Sequence, residues 1–139
     1  MEKNRRILIV DDNEQLRNAL KDVFTHNGIL AENIELAADG MEALIRIIPL
    51  SQSSFDLIIS NVKMPKIDGV ELVERLLSLN NITPIIIVSG IMNDELEAAL
   101  YKKGVFKCFT KPIDLIQLLL STSAAFEEYD LRSEKLEKQ

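Results

Sequence analysis

Cysteine, histidine and tryptophan are almost missing from this chain of 139 residues, which has one Cys, one His and no Trp. A lone cysteine, Cys108, excludes an intrachain disulfide, and the lack of a Cys/His cluster excludes a typical zinc site. Basic side chains are also scarce, with 16 Lys and Arg against 22 Asp and Glu and a net charge of -6. Nucleic-acid binding depends on clustered Lys and Arg, so we expect no nucleic-acid partner for this domain.

Long hydrophobic runs are lacking as well. The first apolar run, Ile7–Val10, is too short for a signal peptide or for a membrane helix, which needs about 20 apolar residues. We therefore expect a cytoplasmic protein with no membrane partner. The hydrophobic fraction of 47% over 139 residues is typical of one globular domain with a core of its own.

Short apolar runs alternate with helical patterns between residues 5 and 120. The runs are Ile7–Val10, Ile34–Ala38, Phe55–Ser60, Ile85–Ser89 and Val105–Thr110. Three of them are apolar at nearly every position, which is typical of strands covered on both faces. Five strands alternating with five helices predict an α/β fold with a doubly wound parallel sheet between two layers of helices.

Polar residues mark where the helices begin, and glycine or proline marks where several end. The residues predicted to cap or open the helices are Asn13, Asp39, Asp68 or Gly69, Asn93 and Asp114. The second helix is predicted over Met41–Ile48, ending at Pro49, and the third through Leu79. Gly28 and Gly104 are predicted to follow the first and fourth helices.

The composition changes at about Ser121. We expect a domain over residues 1–120 and a C-terminal segment over residues 121–139, either an extension of the fifth helix or a solvated tail. The spacing of four and three residues expected at a coiled-coil seam recurs in Leu115, Leu119, Thr122, Phe126, Tyr129, Ser133 and Leu136. This pattern predicts a homodimer through the fifth helix, or a linker helix to an output domain.

Polar residues also stand at the ends of four predicted strands. Asp11 and Asp12 follow the first strand and Asn61 the third, while the fourth ends at Ser89 and the fifth precedes Lys111. In an open parallel sheet these ends line one crevice. Paired carboxylates suit a divalent cation such as Mg²⁺, and a lysine and a serine hydroxyl suit phosphoryl oxygens. The set predicts a metal-assisted site for a phosphoryl group.

Four segments resemble the receiver domains of response regulators in two-component signal transduction. They are Ile7–Asn13, Phe55–Gly69, Ile85–Gly90 and Gly104–Pro112, in order and at matching separations over residues 5 to 120. The resemblance implies a flavodoxin-like (βα)5 fold. It also implies a phosphorelay signalling module that acts by protein–protein interaction rather than as an enzyme, with a sensor histidine kinase or phosphotransfer protein as its partner.

The resemblance implies a role for each matching residue. The metal-binding positions are Asp11, Asp12, Asn61 and the backbone carbonyl of Lys63, and Asn61 holds the phosphoacceptor position. The phosphate-binding and switch positions are Ser89, Gly90, Lys111 and Cys108. The bond from Lys111 to Pro112 is expected to be cis.

Two of these positions depart from the family. Asn61 replaces the acceptor aspartate, and an amide is a poor nucleophile that cannot form an acyl phosphate. The domain is thus predicted to be phosphorylation-deficient, either by natural divergence or by an engineered substitution, with weakened Mg²⁺ binding. Cys108 stands where the family usually carries Tyr or Phe, whose ring passes the signal to the surface; cysteine is too small for a comparable movement.

Two other functions compete with this interpretation. A metal-dependent phosphatase-like enzyme would use Asp11 as nucleophile, but it needs an acid two residues later, where the chain has Asn13. A flavodoxin-like small-molecule binder would need a Gly-rich or Ser/Thr-rich phosphate loop after the first strand, and Asp11-Asp12 stands there instead.

Overall fold

The computed structural model describes residues 1–48 and 55–138, which form five strands and five helices. The strands are β1 (Ile7–Val10), β2 (Ile34–Ala37), β3 (Leu57–Ser60), β4 (Ile85–Ser89) and β5 (Lys107–Thr110). The helices are α1 (Glu14–His26), α2 (Gly40–Ile47), α3 (Gly69–Ser78), α4 (Asp94–Lys102) and α5 (Leu115–Glu137), with a short 3₁₀ turn at Ala31–Asn33. All strand pairs are parallel, in the order β2-β1-β3-β4-β5. The predicted doubly wound α/β sheet is confirmed.

Two apolar cores lie on opposite faces of the sheet. Alternate residues of the central strands, such as Leu8 and Ile58, pack with α2, α3 and Leu100 of α4. The residues between them, such as Ile9 and Ile59, pack with α1 and α5. This two-residue alternation within unbroken apolar runs is what a strand covered on both faces requires.

All five predicted N-caps are confirmed, because each side chain accepts a backbone N–H from the first turn of its helix. The caps are Asn13, Asp39, Asp68, Asn93 and Asp114. Gly28 follows the end of α1 with φ of +102°, a conformation that favours glycine. The predicted end of α2 at Pro49 falls outside the described residues.

Two strands begin later than their apolar runs predict. Phe55 is buried, but β3 begins at Leu57 because its first ladder partner is Ile7, where β1 itself begins. The strand β5 begins at Lys107, which pairs with Ile86, the second residue of β4. Apolar side chains therefore extend beyond the hydrogen-bonded ladder at these two strand starts.

The fifth helix continues to Glu137 with one face turned to the domain. Leu118, Thr122, Ala125 and Phe126 are buried, and the Thr122 hydroxyl donates to the Leu118 carbonyl. The predicted coiled-coil seam is therefore wrong at Thr122 and Phe126, since the sheet already covers them. Apolar residues recur at similar intervals in a coiled-coil seam and in a helix that packs on a core, and here this face of α5 packs on the core.

Arg5 attaches the far half of α5 to the start of the sheet. Its guanidinium donates two hydrogen bonds to Asp130, at 2.8 and 2.7 Å, and one of 3.4 Å to Asp56. It also donates to Glu2 and lies 4.9 Å from the Phe126 ring centroid. The Arg5 contact lowers the pKa of Asp130, whereas burial raises the pKa of Asp56 despite the nearby charge of Arg5.

Within the described parts of the chain, no helix combines the length and apolarity that crossing a membrane requires.

Candidate functional site

The predicted site residues meet in a cleft at the carboxyl ends of β1, β3, β4 and β5. The cleft has a volume of about 530 Å³ and is lined by Asp12, Asn61, Lys63, Met64, Pro65, Ser89, Gly90, Ile91 and Lys111. Six of the predicted site residues are in this lining. Asp11 is buried beside the cleft and is bonded to Lys111 in its lining, and Cys108 lies in the core.

Asp11 is held by the groups around its carboxylate. One oxygen accepts the Lys111 ammonium at 2.9 Å, and the other accepts the backbone N–H of Asn13 at 2.9 Å. The residue is only 3% exposed. Lys111 precedes the predicted cis bond to Pro112, which is confirmed.

The Asn61 side chain is fixed by its own loop. Its Nδ2 donates to the Lys63 carbonyl at 3.0 Å, and its Oδ1 accepts the Val62 N–H at 2.9 Å. Because one partner is a pure acceptor and the other a pure donor, the orientation of the amide is determined. Asn61 is buried, so the acceptor position presents a neutral amide with both polar atoms engaged.

The backbone around Asn61 is packed tightly against α3. The Gly69 N–H donates to the Val62 carbonyl at 2.7 Å. A Cβ on Gly69 would lie 2.2 Å from the Asn61 carbonyl oxygen, so no side chain fits there without movement. The prediction took Gly69 as a helix start, which is confirmed, but missed this close approach.

Ser89 and Gly90 lie at the end of β4, across the cleft from Asn61. The Ser89 side chain is buried, and its hydroxyl oxygen accepts the Ile91 N–H at 3.1 Å. Gly90 is exposed, and a Cβ there would meet nothing within 4 Å. Ser89 therefore turns the chain in this structure, and the space beside Gly90 is open.

Cys108 is buried on β5, and burial raises the pKa of its thiol to about 11. Its backbone N–H donates at 2.9 Å to the hydroxyl of Tyr101, which extends from α4. The sequence interpretation missed Tyr101, because nothing in the spacing of α4 distinguishes it from a surface residue. An aromatic ring from α4 thus lies against this edge strand, which itself carries no Tyr or Phe at position 108.

A second contact missed from the sequence involves Arg17 of α1, whose guanidinium donates to the Asp11 carbonyl at 2.7 Å. Its place four residues after the N-cap Asn13 was the available signal, since that spacing puts both at one end of the same helical face. Arg17 thereby fixes the backbone that carries the two aspartates.

The oxygen donors of the cleft suit a hard cation but give it limited charge. The carboxylates of Asp11 and Asp12 and the Lys63 carbonyl are the kinds of ligand that Mg²⁺ takes in proteins. Among the described residues, no group of three or more His, Cys, Asp or Glu side chains is placed to hold a metal ion. The residues present thus fit a Mg²⁺ ion held by only two carboxylates and one backbone carbonyl.

Comparison with known proteins gives a consistent assignment. The sequence model described as "Response regulator receiver domain" matches residues 7–122. Sensor histidine kinase RcsC of Salmonella typhimurium is 32% identical over 122 residues, covering 88% of this chain and 12% of that protein. Response regulator MprA of Mycobacterium sp. (strain KMS) is 32% identical over 114 residues, covering 82% and 47%. The chain thus spans less than half the length of these two curated relatives.

Solved structures agree on the fold. The receiver domain of the Francisella response regulator 1452 superposes with a TM-score of 0.80 at 30% identity, covering 89% of this chain and 98% of that one. A CheX–CheY–BeF3–Mg²⁺ complex from Borrelia burgdorferi gives 0.80 at 28% identity, covering 88% and 89%. With the family matched over most of its length, this chain belongs to the response regulator receiver domains of two-component signalling, and it has their flavodoxin-like α/β fold.

Proposed function

We propose that this receiver domain acts as a protein-binding signalling module that does not accept phosphate at residue 61. The observation that carries the proposal is the state of the Asn61 amide, which fills the acceptor position with both polar atoms bonded to its own loop. Acyl phosphate formation needs a carboxylate oxygen as nucleophile, and an amide does not provide one. The domain then signals through its surfaces.

Incubation with acetyl phosphate and Mg²⁺ should leave the intact mass of the native chain unchanged, because residue 61 carries an amide and not a nucleophilic carboxylate. A receiver domain with an acceptor aspartate, treated in parallel, is the positive control. A phosphoryl group mapped to Asn61 would refute the proposal.

Magnesium binding is proposed to persist in weakened form. Asp11, Asp12 and the second lone pair of the Lys63 carbonyl, whose first accepts the Asn61 amide, would hold the ion. The CheX–CheY–BeF3 complex from Borrelia burgdorferi contains Mg²⁺. When bound, the ion would neutralise charge on phosphoryl oxygens. Asn61 brings no charge to such a site.

Replacing Asn61 by aspartate should tighten Mg²⁺ binding about tenfold, since a third carboxylate adds attraction in a cleft partly shielded from water. Calorimetric titration of the native chain and Asn61→Asp measures this. Equal affinities in the two proteins would mean that residue 61 is not a ligand.

The proposed partner is a sensor histidine kinase or a histidine phosphotransfer protein. An apolar groove of about 300 Å³ lies beside the cleft, between α1 and the start of α5. It is lined by Leu16, Ala19, Leu20, Val23, Lys111, Pro112, Ile113 and Leu115. Lys111 belongs to both the groove and the cleft. A partner that brings a histidine to the cleft would cover this groove, and the apolar lining suits such contact.

A phosphatase-like reaction through Asp11 is not favoured by the geometry. Both oxygens of its carboxylate are engaged, with Lys111 and with the Asn13 N–H, and Asn13 stands where the general acid would be needed. The solvated partner of the pair, Asp12, is exposed at the cleft.

A second copy of the chain is the proposed occupant of the outer face of α5. Ile116, Leu120 and Leu131 are 70%, 61% and 55% exposed and share the side opposite the buried residues. Sedimentation should show weak dimers at tens of micromolar, a typical range for a small apolar contact. Ile116→Lys with Leu120→Lys should abolish them. The matched control is Ile45→Lys on α2, an equally exposed apolar side chain. A native monomer at this concentration would reject the dimer and favour a linker role.

A further inference from the structure

We propose that the Asn61 amide takes the place of a cation in holding the Lys63 carbonyl, so that the loop from β3 to α3 keeps its shape without metal. Asn61 is in this account a positioning residue. The inference rests on the proposed function, because it treats Asn61 as the occupant of the acceptor position.

The side chain of residue 61 and the Lys63 carbonyl face each other at hydrogen-bond distance. Their separation is 3.0 Å from Nδ2 to the carbonyl oxygen, and an NH₂ proton lies between them. A carboxylate in the same position would set two oxygen acceptors against each other with no proton to share. Either the loop would move or a cation would have to bridge them.

Two cationic side chains near the loop are engaged elsewhere. The Lys111 ammonium, which lines the same cleft, is engaged with Asp11 at 2.9 Å. The Lys66 ammonium reaches toward Asp39, at 3.8 Å, on the side of α2. The Asn61 amide is thus the group that the structure places on the Lys63 carbonyl.

The middle of the loop depends on this bond. Its far end is fixed to α2 by the Gly40 N–H, which donates to the Ile67 carbonyl at 3.1 Å. Between the two anchors, Lys66 adopts φ of +65°, a left-handed conformation that is unfavourable for a residue with a side chain. The Asn61–Lys63 bond therefore helps to hold a segment whose local backbone preference opposes its shape.

Hydrogen–deuterium exchange of the peptide covering residues 62–68 tests the inference in native protein and Asn61→Asp. In EDTA, the loop of Asn61→Asp should exchange about tenfold faster than the native loop, the effect of losing one buried hydrogen bond. Millimolar Mg²⁺ should return the variant to the native rate and change the native rate less than twofold. Equal rates in EDTA, a variant that Mg²⁺ does not slow, or a native loop strongly slowed by Mg²⁺ would each overturn the inference.

A charge-matched variant separates the loss of the hydrogen bond to the Lys63 carbonyl from charge repulsion among the carboxylates of the cleft. Asp12→Asn combined with Asn61→Asp has the same number of carboxylates in the cleft as the native chain. Fast exchange in EDTA should persist in this double variant, because Lys63 still faces a carboxylate. Recovery of the native rate would instead assign the effect to repulsion and overturn the inference. Failure of the proposed function would appear separately, as a phosphoryl group on the native chain in the mass measurement, and would not change these exchange rates.

Discussion

Replacing Gly69 by alanine should lower the free energy of unfolding by about 3 kcal/mol, at the upper end of what overpacking costs. The added Cβ would lie 2.2 Å from the Asn61 carbonyl oxygen and 2.9 Å from the Cα of Val62. Both are backbone atoms of the cleft, which cannot rotate away as a side chain would. The start of α3 must therefore move off the end of β3, at the cost of the bond from the Gly69 N–H to the Val62 carbonyl.

Gly90→Ala is the matched control for this change, because a Cβ at Gly90 meets nothing within 4 Å. Its effect should stay within about 0.5 kcal/mol, as for other unconstrained surface positions. Urea unfolding of the three proteins measures the difference. Equal destabilisation by the two substitutions would mean that the contact at Gly69 is not tight in solution.

Arg5→Met should also cost about 3 kcal/mol, because it leaves a largely buried carboxylate without its cation. The Asp56 side chain is only 15% exposed, and the two hydrogen bonds of Arg5 to Asp130 help to hold the far half of α5. Methionine preserves most of the packing against Phe126 while removing the charge. Urea unfolding near neutral pH measures the loss.

The pH dependence of the stability loss shows whether the uncompensated charge of Asp56 causes it. Burial alone would raise the pKa of Asp56 further once Arg5 is gone, so the variant gains stability as Asp56 takes up a proton. In the native chain the pKa of Asp56 is raised less, because Arg5 opposes the effect of burial, so the native chain gains less over this range. The stability that comes from the lowered pKa of Asp130 is lost only as the pH falls below the ordinary carboxyl value of about 4. The gap between the two proteins should narrow as the pH falls toward about 4.

Arg75→Met is the control for Arg5→Met, since Arg75 pairs with Glu71 on the exposed surface of α3. An exposed pair of this spacing contributes only about 0.3–0.5 kcal/mol. A loss from Arg5→Met as small as this, or a gap that does not change with pH, would contradict the role assigned to Arg5.

The layers of the fold were predictable because each strand and helix has its own local signal. Unbroken apolar runs such as Ile7–Val10 indicate strands covered on both faces, and capping side chains such as Asn13 and Asp114 fix where helices begin. Ladder ends were less predictable. They depend on where the neighbouring strand begins, as at Leu57 opposite Ile7.

The far half of α5 shows what local patterns do not determine. Its apolar spacing fits a coiled-coil seam and a core-facing stripe equally well, and Thr122 and Phe126 were assigned to the wrong one. One contact that attaches it to the domain joins Arg5 to Asp130, residues 125 apart in sequence. Such a pairing has no signature in either segment alone.

In the cleft, the rule that parallel strand ends share one edge correctly brings Asp12, Asn61, Ser89 and Lys111 together. Which groups bond to one another was not predictable, because it depends on differences of less than 1 Å. The Asn61 contact with the Lys63 carbonyl is the clearest case. The sequence shows only that an amide stands at the acceptor position, not that this amide bonds to its own loop.

We propose that Asn61 is the residue that keeps this receiver site from accepting phosphate, and the masses of two proteins test this most directly. The native chain and Asn61→Asp are incubated side by side with acetyl phosphate and Mg²⁺, and the intact masses and modified peptides are determined. We expect the native chain to stay unmodified and the variant to gain one phosphoryl group at residue 61. A phosphoryl group at Asn61 of the native chain, or an unmodified variant that is folded and binds Mg²⁺, would contradict the account.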